Sequence, residues 1–218
     1  MNLSMLARKL HLKKRMTDRT KEFWNIASSR DMNGVMNAIC DKYDKDRFKT
    51  KKDSIIFSQN VKLDKSMTVL DLACGIGRTC RWVAPFVTQY VGVDFMPEMI
   101  AKANQYNENI HNAEFITNNG KDLSGIQSDT FDIIYCDLAF QHMTKSTQQS
   151  YVNEVYRVLK NHGMFYVQIP RYVYYENVCD DAWDFSHTAI SLEKMFEKFD
   201  FKFNKTDAYF LVKAECWK

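Results

Sequence analysis

Val69-Leu70-Asp71-Leu72-Ala73-Cys74-Gly75-Ile76-Gly77-Arg78 decides the fold of this chain. It reads as a buried strand that ends in a carboxylate and turns tightly through glycines into a helix. Glycine lets a backbone approach a ligand closely and adopt conformations a side chain forbids. The amides opening the next helix point outward toward a polar group. The acid narrows the ligand: a carboxylate beside the turn repels a pyrophosphate and attracts a group carrying positive charge.

Working outward, Tyr90-Val91-Gly92-Val93-Asp94 is a second apolar strand ending in an acid, and Phe95-Met96-Pro97-Glu98-Met99 opens another helix. The interval from Gly77 to Asp94 fits one helix plus one strand, so both motifs meet at the same edge of a parallel sheet. Glu114 to Leu123 supplies a short strand and the polar turn Asn118-Asn119-Gly120-Lys121, which turn chemistry alone explains equally well. Phe131 to Met143 is a fourth strand with its exit loop, and Tyr151 to Leu159 leads through Lys160-Asn161-His162-Gly163 into the strand Met164 to Gln168.

In this order the motifs resemble the class I S-adenosylmethionine-dependent methyltransferases, whose first motif is an acid, small residues and Gly-x-Gly; Ala73 stands where a third glycine is common. The similarity runs from about Lys21 to Trp217, and its specific motifs lie between Val69 and Gln168. Phe140-Gln141-His142-Met143 with Gln168 resembles a narrower group acting on glycans and small polar metabolites. The resemblance implies S-adenosylmethionine as cofactor and S-adenosylhomocysteine as product. It implies cofactor contacts from Asp71, Ala73, Cys74, Gly75, Gly77, Arg78, Asp94, Phe95, Met99, Asn119, Gly120, Lys121, Asp137 and Leu138. Asp71 would answer the positive charge, Asp94 the ribose diol and Asn119 the adenine amine; charge-assisted bonds to vicinal hydroxyls suit a carboxylate. His142 is the expected base for an acceptor hydroxyl, because imidazole titrates near neutrality, and Asp137 is its rival. Trp24, His142, Arg171 and Tyr172 are the expected acceptor contacts, and no metal is expected. For Trp24 and Arg171 a plain core anchor and a surface arginine are competing readings.

The expected fold is α/β: a single Rossmann-like domain with a seven-stranded, mostly parallel sheet, an antiparallel last strand, helices on both faces and a helical N-terminal cap. Strands fall near 68–72, 89–94, 113–117, 131–136, 163–169, 200–204 and 208–216. Residues 1–60 form a basic arm and cap, with helices at Thr17 to Ala27 and Asn33 to Asp41, and 61–218 form the core. The 218 residues, 45% hydrophobic, suffice for one core. Six cysteines without paired spacing fit reduced thiols. With no apolar leader or membrane-length stretch, a cytoplasmic location is expected.

A net charge of +3 argues weakly for nucleic acid, and Asp137-Leu138-Ala139-Phe140 lacks both prolines of the amino-directed nucleic-acid enzymes' Asp-Pro-Pro-Phe. The basic run Arg8 to Lys21 is a frayed arm or a weak membrane-surface contact. The expected reaction is methyl transfer to a hydroxyl or amine of a small polar acceptor, with a sugar or glycan among the candidates. Two alternatives stand beside it: a nicotinamide oxidoreductase, which needs a glycine where Cys80 stands, and a non-catalytic binding protein of the same fold.

Overall fold

The computed structural model of the protein describes residues 22–32, 54–170, 187–206 and 209–218. Within them the chain forms α1 (Ile55–Ser58), β1 (Thr68–Leu72), α2 (Cys80–Val83), β2 (Gln89–Asp94), α3 (Pro97–Tyr106), β3 (Ala113–Thr117) and β4 (Phe131–Cys136). Then follow α4 (Lys145–Val158), β5 (Leu159–Pro170), α5 (Ala189–Met195), β6 (Phe199–Lys205) and β7 (Tyr209–Cys216). Residues 22–28 are helical, within the first of the two expected cap helices; the second, Asn33 to Asp41, lies outside the described residues.

One seven-stranded sheet has the order β3-β2-β1-β4-β5-β7-β6. β1 to β5 pair in parallel, and β7 runs antiparallel to both β5 and β6. The expected seven strands are all present, with the antiparallel last strand. In the central strands Val69, Leu70, Leu72, Val91 and Val93 are all buried, as parallel strands covered on both faces require. One face packs against α4 and α5 through Tyr151, Val152, Val155, Leu192 and Met195. The other lies under α1 and α2 through Ile55, Ile56, Cys80 and Val83.

The chain winds from β1 outward to β3, then crosses to β4 and winds the other way. That reversal opens a crevice at the carboxyl ends of β1 and β4, where open α/β sheets bind ligands. Asp71 and Asp137 sit at or just beyond these strand ends, and Asp94 ends the neighbouring β2.

One strand departs from expectation. β5 begins at Leu159 rather than 163, because α4 runs directly into the sheet and Phe131 pairs with Leu159. The left-handed residue of the connection is His162 (φ 62) rather than Gly163. Gly163 answers a steric need instead: a Cβ there would lie 2.9 Å from both a Leu159 methyl and the Lys160 carbonyl oxygen.

The glycine loop is held in left-handed backbone at Ala73 (φ 61), Gly75 (φ 54) and Gly77 (φ 64). At Gly77 an added Cβ would also lie 2.5 Å from the Phe115 ring and 2.8 Å from the Asn107 amide nitrogen. Gly77→Ala therefore loses on the order of 2–3 kcal/mol in urea denaturation, from strain and overpacking together. Ala73→Gly gains up to about 1 kcal/mol in the same measurement, because the left-handed penalty on a Cβ exceeds the entropy glycine adds to the unfolded chain.

Candidate active site

Asp71 is 4% exposed and faces into the sheet. The Tyr90 and Thr79 hydroxyls donate to its Oδ2 at 2.6 and 2.7 Å. The Tyr135 hydroxyl lies 3.0 Å from the same oxygen and 2.7 Å from Thr79 Oγ1, so its single proton serves one of the two. Burial pushes the Asp71 carboxyl up, opposed by these hydroxyls and by Arg78. Asp71 is thus a buried acceptor beneath the loop, with its Oδ2 engaged by hydroxyls. Sequence reasoning missed its partners, yet Tyr90 and Tyr135 are polar-tipped residues in otherwise apolar strands, and Tyr135 is level with Asp71 in the register.

Asp94 differs. Its Oδ2 accepts from the Gly75 amide at 3.0 Å and its Oδ1 from the Met96 amide at 2.9 Å. Burial raises its carboxyl, and only backbone amides oppose that rise; no cation among the described residues answers it. Each oxygen keeps a lone pair for a further donor. A buried carboxylate of this kind fits a vicinal diol. Around it, Phe95, Ile76, Met96 and Met99 pack with Trp24 and Met32, bringing the leading helix onto the mouth of the crevice. Lys102 Nζ holds that helix by donating to the Ser28 carbonyl at 2.9 Å.

The turn after β3 packs on the same cluster, since a Cβ on Gly120 would lie 3.1 Å from Phe95 Cβ. Asn119 itself is consumed locally. Its Oδ1 accepts from the Lys121 and Asp122 amides at 2.8 and 3.0 Å, and its Nδ2 donates to Asp122 at 2.7 Å. The expected adenine contact is therefore not offered by this side chain, and the plain turn reading describes it. Asn118 reaches inward, with Nδ2 donating to the Tyr151 hydroxyl at 3.0 Å.

At the β4 exit, Asp137 is also spoken for. Ser54 Oγ donates to Oδ2 at 2.6 Å and the Ile55 amide to Oδ1 at 2.8 Å, so the carboxylate caps α1. Burial raises its carboxyl to about 6, with Arg78 the main opposing influence. Leu138 takes φ 52, and its amide donates to Gln168 Oε1 at 3.2 Å. Cys74 is a buried thiol whose pKa burial raises well above its ordinary value. The buried Gln141 Oε1 has no hydrogen-bond donor among the described residues.

His142 meets Trp24 edge to face, with ring centroids 5.3 Å apart and planes at 87°. Desolvation lowers its imidazole to about 4. His187 is a structural residue: Nε2 lies 2.6 Å from Gln148 Oε1 and Nδ1 3.0 Å from Ser191 Oγ. Arg171 and Tyr172, expected to contact the acceptor, lie outside the described residues. No group of potential metal ligands occurs among the described residues, and no helix there is long and apolar enough to cross a membrane.

A sheet of order 3-2-1-4-5-7-6, with a left-handed glycine loop after β1 and a buried acid at the end of β2, is a Rossmann-like fold of the kind found in class I methyltransferases. Comparison with known proteins agrees: residues 69–163 match the family model described as a methyltransferase domain. The uncharacterized methyltransferase YcgJ of Bacillus subtilis is 35% identical over 99 residues, 44% of this chain and 38% of its own. The uncharacterized methyltransferase sll0829 of Synechocystis is 30% identical over 107 residues, 49% of each chain. The chain thus spans about half the length of these curated relatives, or less. Among solved structures, Haemonchus contortus phosphoethanolamine N-methyltransferase 1, with phosphoethanolamine and S-adenosylhomocysteine, superposes at TM-score 0.73 and 14% identity. That match covers 93% of this chain and 49% of the nematode one.

The shifted groups fix a pH dependence of stability. An imidazole lowered from 6.5 to about 4 resists protonation when folded, so His142 costs stability as pH falls from 6.5 toward 4, by at most about 3 kcal/mol. A carboxyl raised from 3.8 to about 6 acts oppositely, and Asp137 adds stability over the fall from 6 to 3.8. Urea midpoints at neutral pH and near pH 4.5 test both signs: His142→Gln flattens the acid loss, and Asp137→Asn steepens it.

Proposed function

We propose that this chain transfers a methyl group from S-adenosylmethionine to the hydroxyl or amine of a small polar acceptor, a sugar or glycan among the candidates. The observation that carries the reading is the Trp24–His142 contact at the β4 exit, which joins a basic ring nitrogen to the helix covering the crevice. When bound, the cofactor supplies a methyl group already activated on a sulfonium, so the protein's task is orientation, which can contribute on the order of 7–11 kcal/mol.

Each side chain then has a part. Asp94 accepts from the ribose hydroxyls, with Gly75 and Met96 amides holding its orientation. Ile76, Phe95 and Met99 with Trp24 form an apolar wall that excludes water. His142, neutral above about pH 5, takes the proton of an acceptor hydroxyl without first losing one of its own. Activity therefore does not rise through pH 6.5 on account of this group, as an unperturbed imidazole would make it do. Asp137, which accepts from the start of α1 on both oxygens, is the rival base to His142. A cytoplasmic location, the absence of a nucleic-acid partner and the weak membrane contact of the basic arm belong to the same reading.

Acceptors are tested by following labelled methyl transfer from the cofactor to a panel of sugars, hydroxy acids and amines. Phosphoethanolamine belongs in it, because the nematode neighbour carries that acceptor. With an alcohol acceptor, His142→Ala lowers kcat by roughly 10²–10⁴ while S-adenosylhomocysteine affinity stays nearly constant. Asp94→Ala does the reverse, weakening S-adenosylhomocysteine by about 1.5–3 kcal/mol in calorimetry. Binding of NAD in preference to S-adenosylhomocysteine would favour the oxidoreductase alternative, and cofactor binding with no turnover on any acceptor the non-catalytic one.

A further inference from the structure

The carboxyl ends of the strands carry the site above; the amino ends of β1, β4 and β5 carry a separate cavity of about 540 Å³. That volume lies in the range of small-molecule pockets, about 300–1,000 Å³. It exists because the helical layer on this face is thin. α1 is four residues long, and the chain behind it packs Val61, Leu63 and Met67 against Val69, Ile133 and Tyr166. Beyond that cover, Lys213 of β7 and Lys202 of β6 are exposed on the same face.

The lining has two parts. Met67, Ile133, Met164 and the Tyr166 ring give an apolar floor, and Lys62 and Lys213 stand at its side. Register places Tyr166, Lys213 and Lys202 side by side across β5, β7 and β6. Like charges directly opposite on neighbouring strands are unfavourable. Lys62, Lys202 and Lys213 have no carboxylate partner among the described residues.

The carboxylates nearby are engaged elsewhere. Asp132, which lines the cavity, accepts from Lys160 Nζ at 2.8 Å and from the Thr68 amide at 2.8 Å. Glu215, the next residue on this face of β7, lies 3.1 Å from His162 Nδ1. Tyr166 is 5% exposed, and its hydroxyl makes no hydrogen bond among the described residues. An apolar floor, a spare hydroxyl and unmatched positive charge together select an anion with a flat body.

We propose that this cavity is a second small-molecule site, taking an aryl phosphate or aryl carboxylate whose anionic head is matched by Lys62 and Lys213 and whose ring lies on Met67, Ile133 and Met164. The Tyr166 hydroxyl donates to the same head. The site is distinct from the cofactor crevice and does not depend on the methyl-transfer reading.

Calorimetric titration of the full chain with phenyl phosphate, benzoate, phenol and inorganic phosphate tests it, with and without saturating S-adenosylhomocysteine. Phenyl phosphate or benzoate saturates at millimolar concentration or below, unchanged by S-adenosylhomocysteine, and phenol and inorganic phosphate bind at least tenfold more weakly. The tighter of the two aryl acids identifies the head group. Lys62→Gln combined with Lys213→Gln weakens the favoured probe at least tenfold. Methionine-methyl NMR of the unmodified chain reads the location independently: Met67 and Met164 shift, and Met96 and Met99 do not. Absence of saturation, competition by S-adenosylhomocysteine, unchanged affinity in the double variant, or shifts at Met96 and Met99 instead would each overturn the assignment.

Discussion

The constraint on which this structure depends is a carboxylate taken out of water at the centre of the sheet. A buried charge is costly unless hydrogen bonds replace its hydration, and Asp71 meets that demand with hydroxyls drawn from three elements. Thr79 stands at the start of α2, Tyr90 on β2 and Tyr135 on β4. Satisfying one oxygen therefore fixes where the chain re-enters a helix after the glycine loop and how β1 sits between its two neighbours. From the other side, Asp94 seizes the Gly75 amide in the middle of the loop. Ala73, Gly75 and Gly77 take left-handed backbone between these two anchors, and at Ala73 the chain tolerates the strain without glycine.

Three acids end up at neighbouring strand ends with different duties, and burial alone does not separate them. Asp71 accepts on Oδ2 from side-chain hydroxyls, Asp137 from Ser54 and the start of α1, and Asp94 from two backbone amides. Arg78 acts between the first and second, lowering both against a larger desolvation that raises them. The acid to which the proposal gives the ribose is the one without a side-chain partner.

That division explains what the sequence could and could not reveal. Strand identity and order follow from apolar runs of strand length ending in acids or glycines, and these were legible from Thr68 through Cys216. Side-chain direction was not. Asp71 and Asp94 look alike as strand-end acids, and only the three-dimensional positions of Tyr90, Tyr135 and Thr79 turn one inward. Asn119 resembled a base-reading residue because an Asn-Gly turn and an adenine contact share a composition; the turn's own amides take its oxygen. The early start of β5 was hidden because Lys160-Asn161-His162-Gly163 carries turn residues, yet His162 itself adopts the left-handed backbone the connection needs. The partner of Asp137, Ser54, lies far earlier in the chain, where no local pattern announces it.

If the proposed methyl transfer is the reaction, the environment of His142 sets its terms. Desolvation that lowers the imidazole to about 4 keeps the ring neutral and ready to accept a proton, and also makes the protonated ring a poor resting state. On that proposal, a proton taken from an acceptor hydroxyl passes on to water rather than resting on the ring. An amine acceptor imposes a different order, because it has to arrive deprotonated and loses its remaining proton after methylation. On the proposed reaction, His142 then imposes no pH dependence of its own near neutrality.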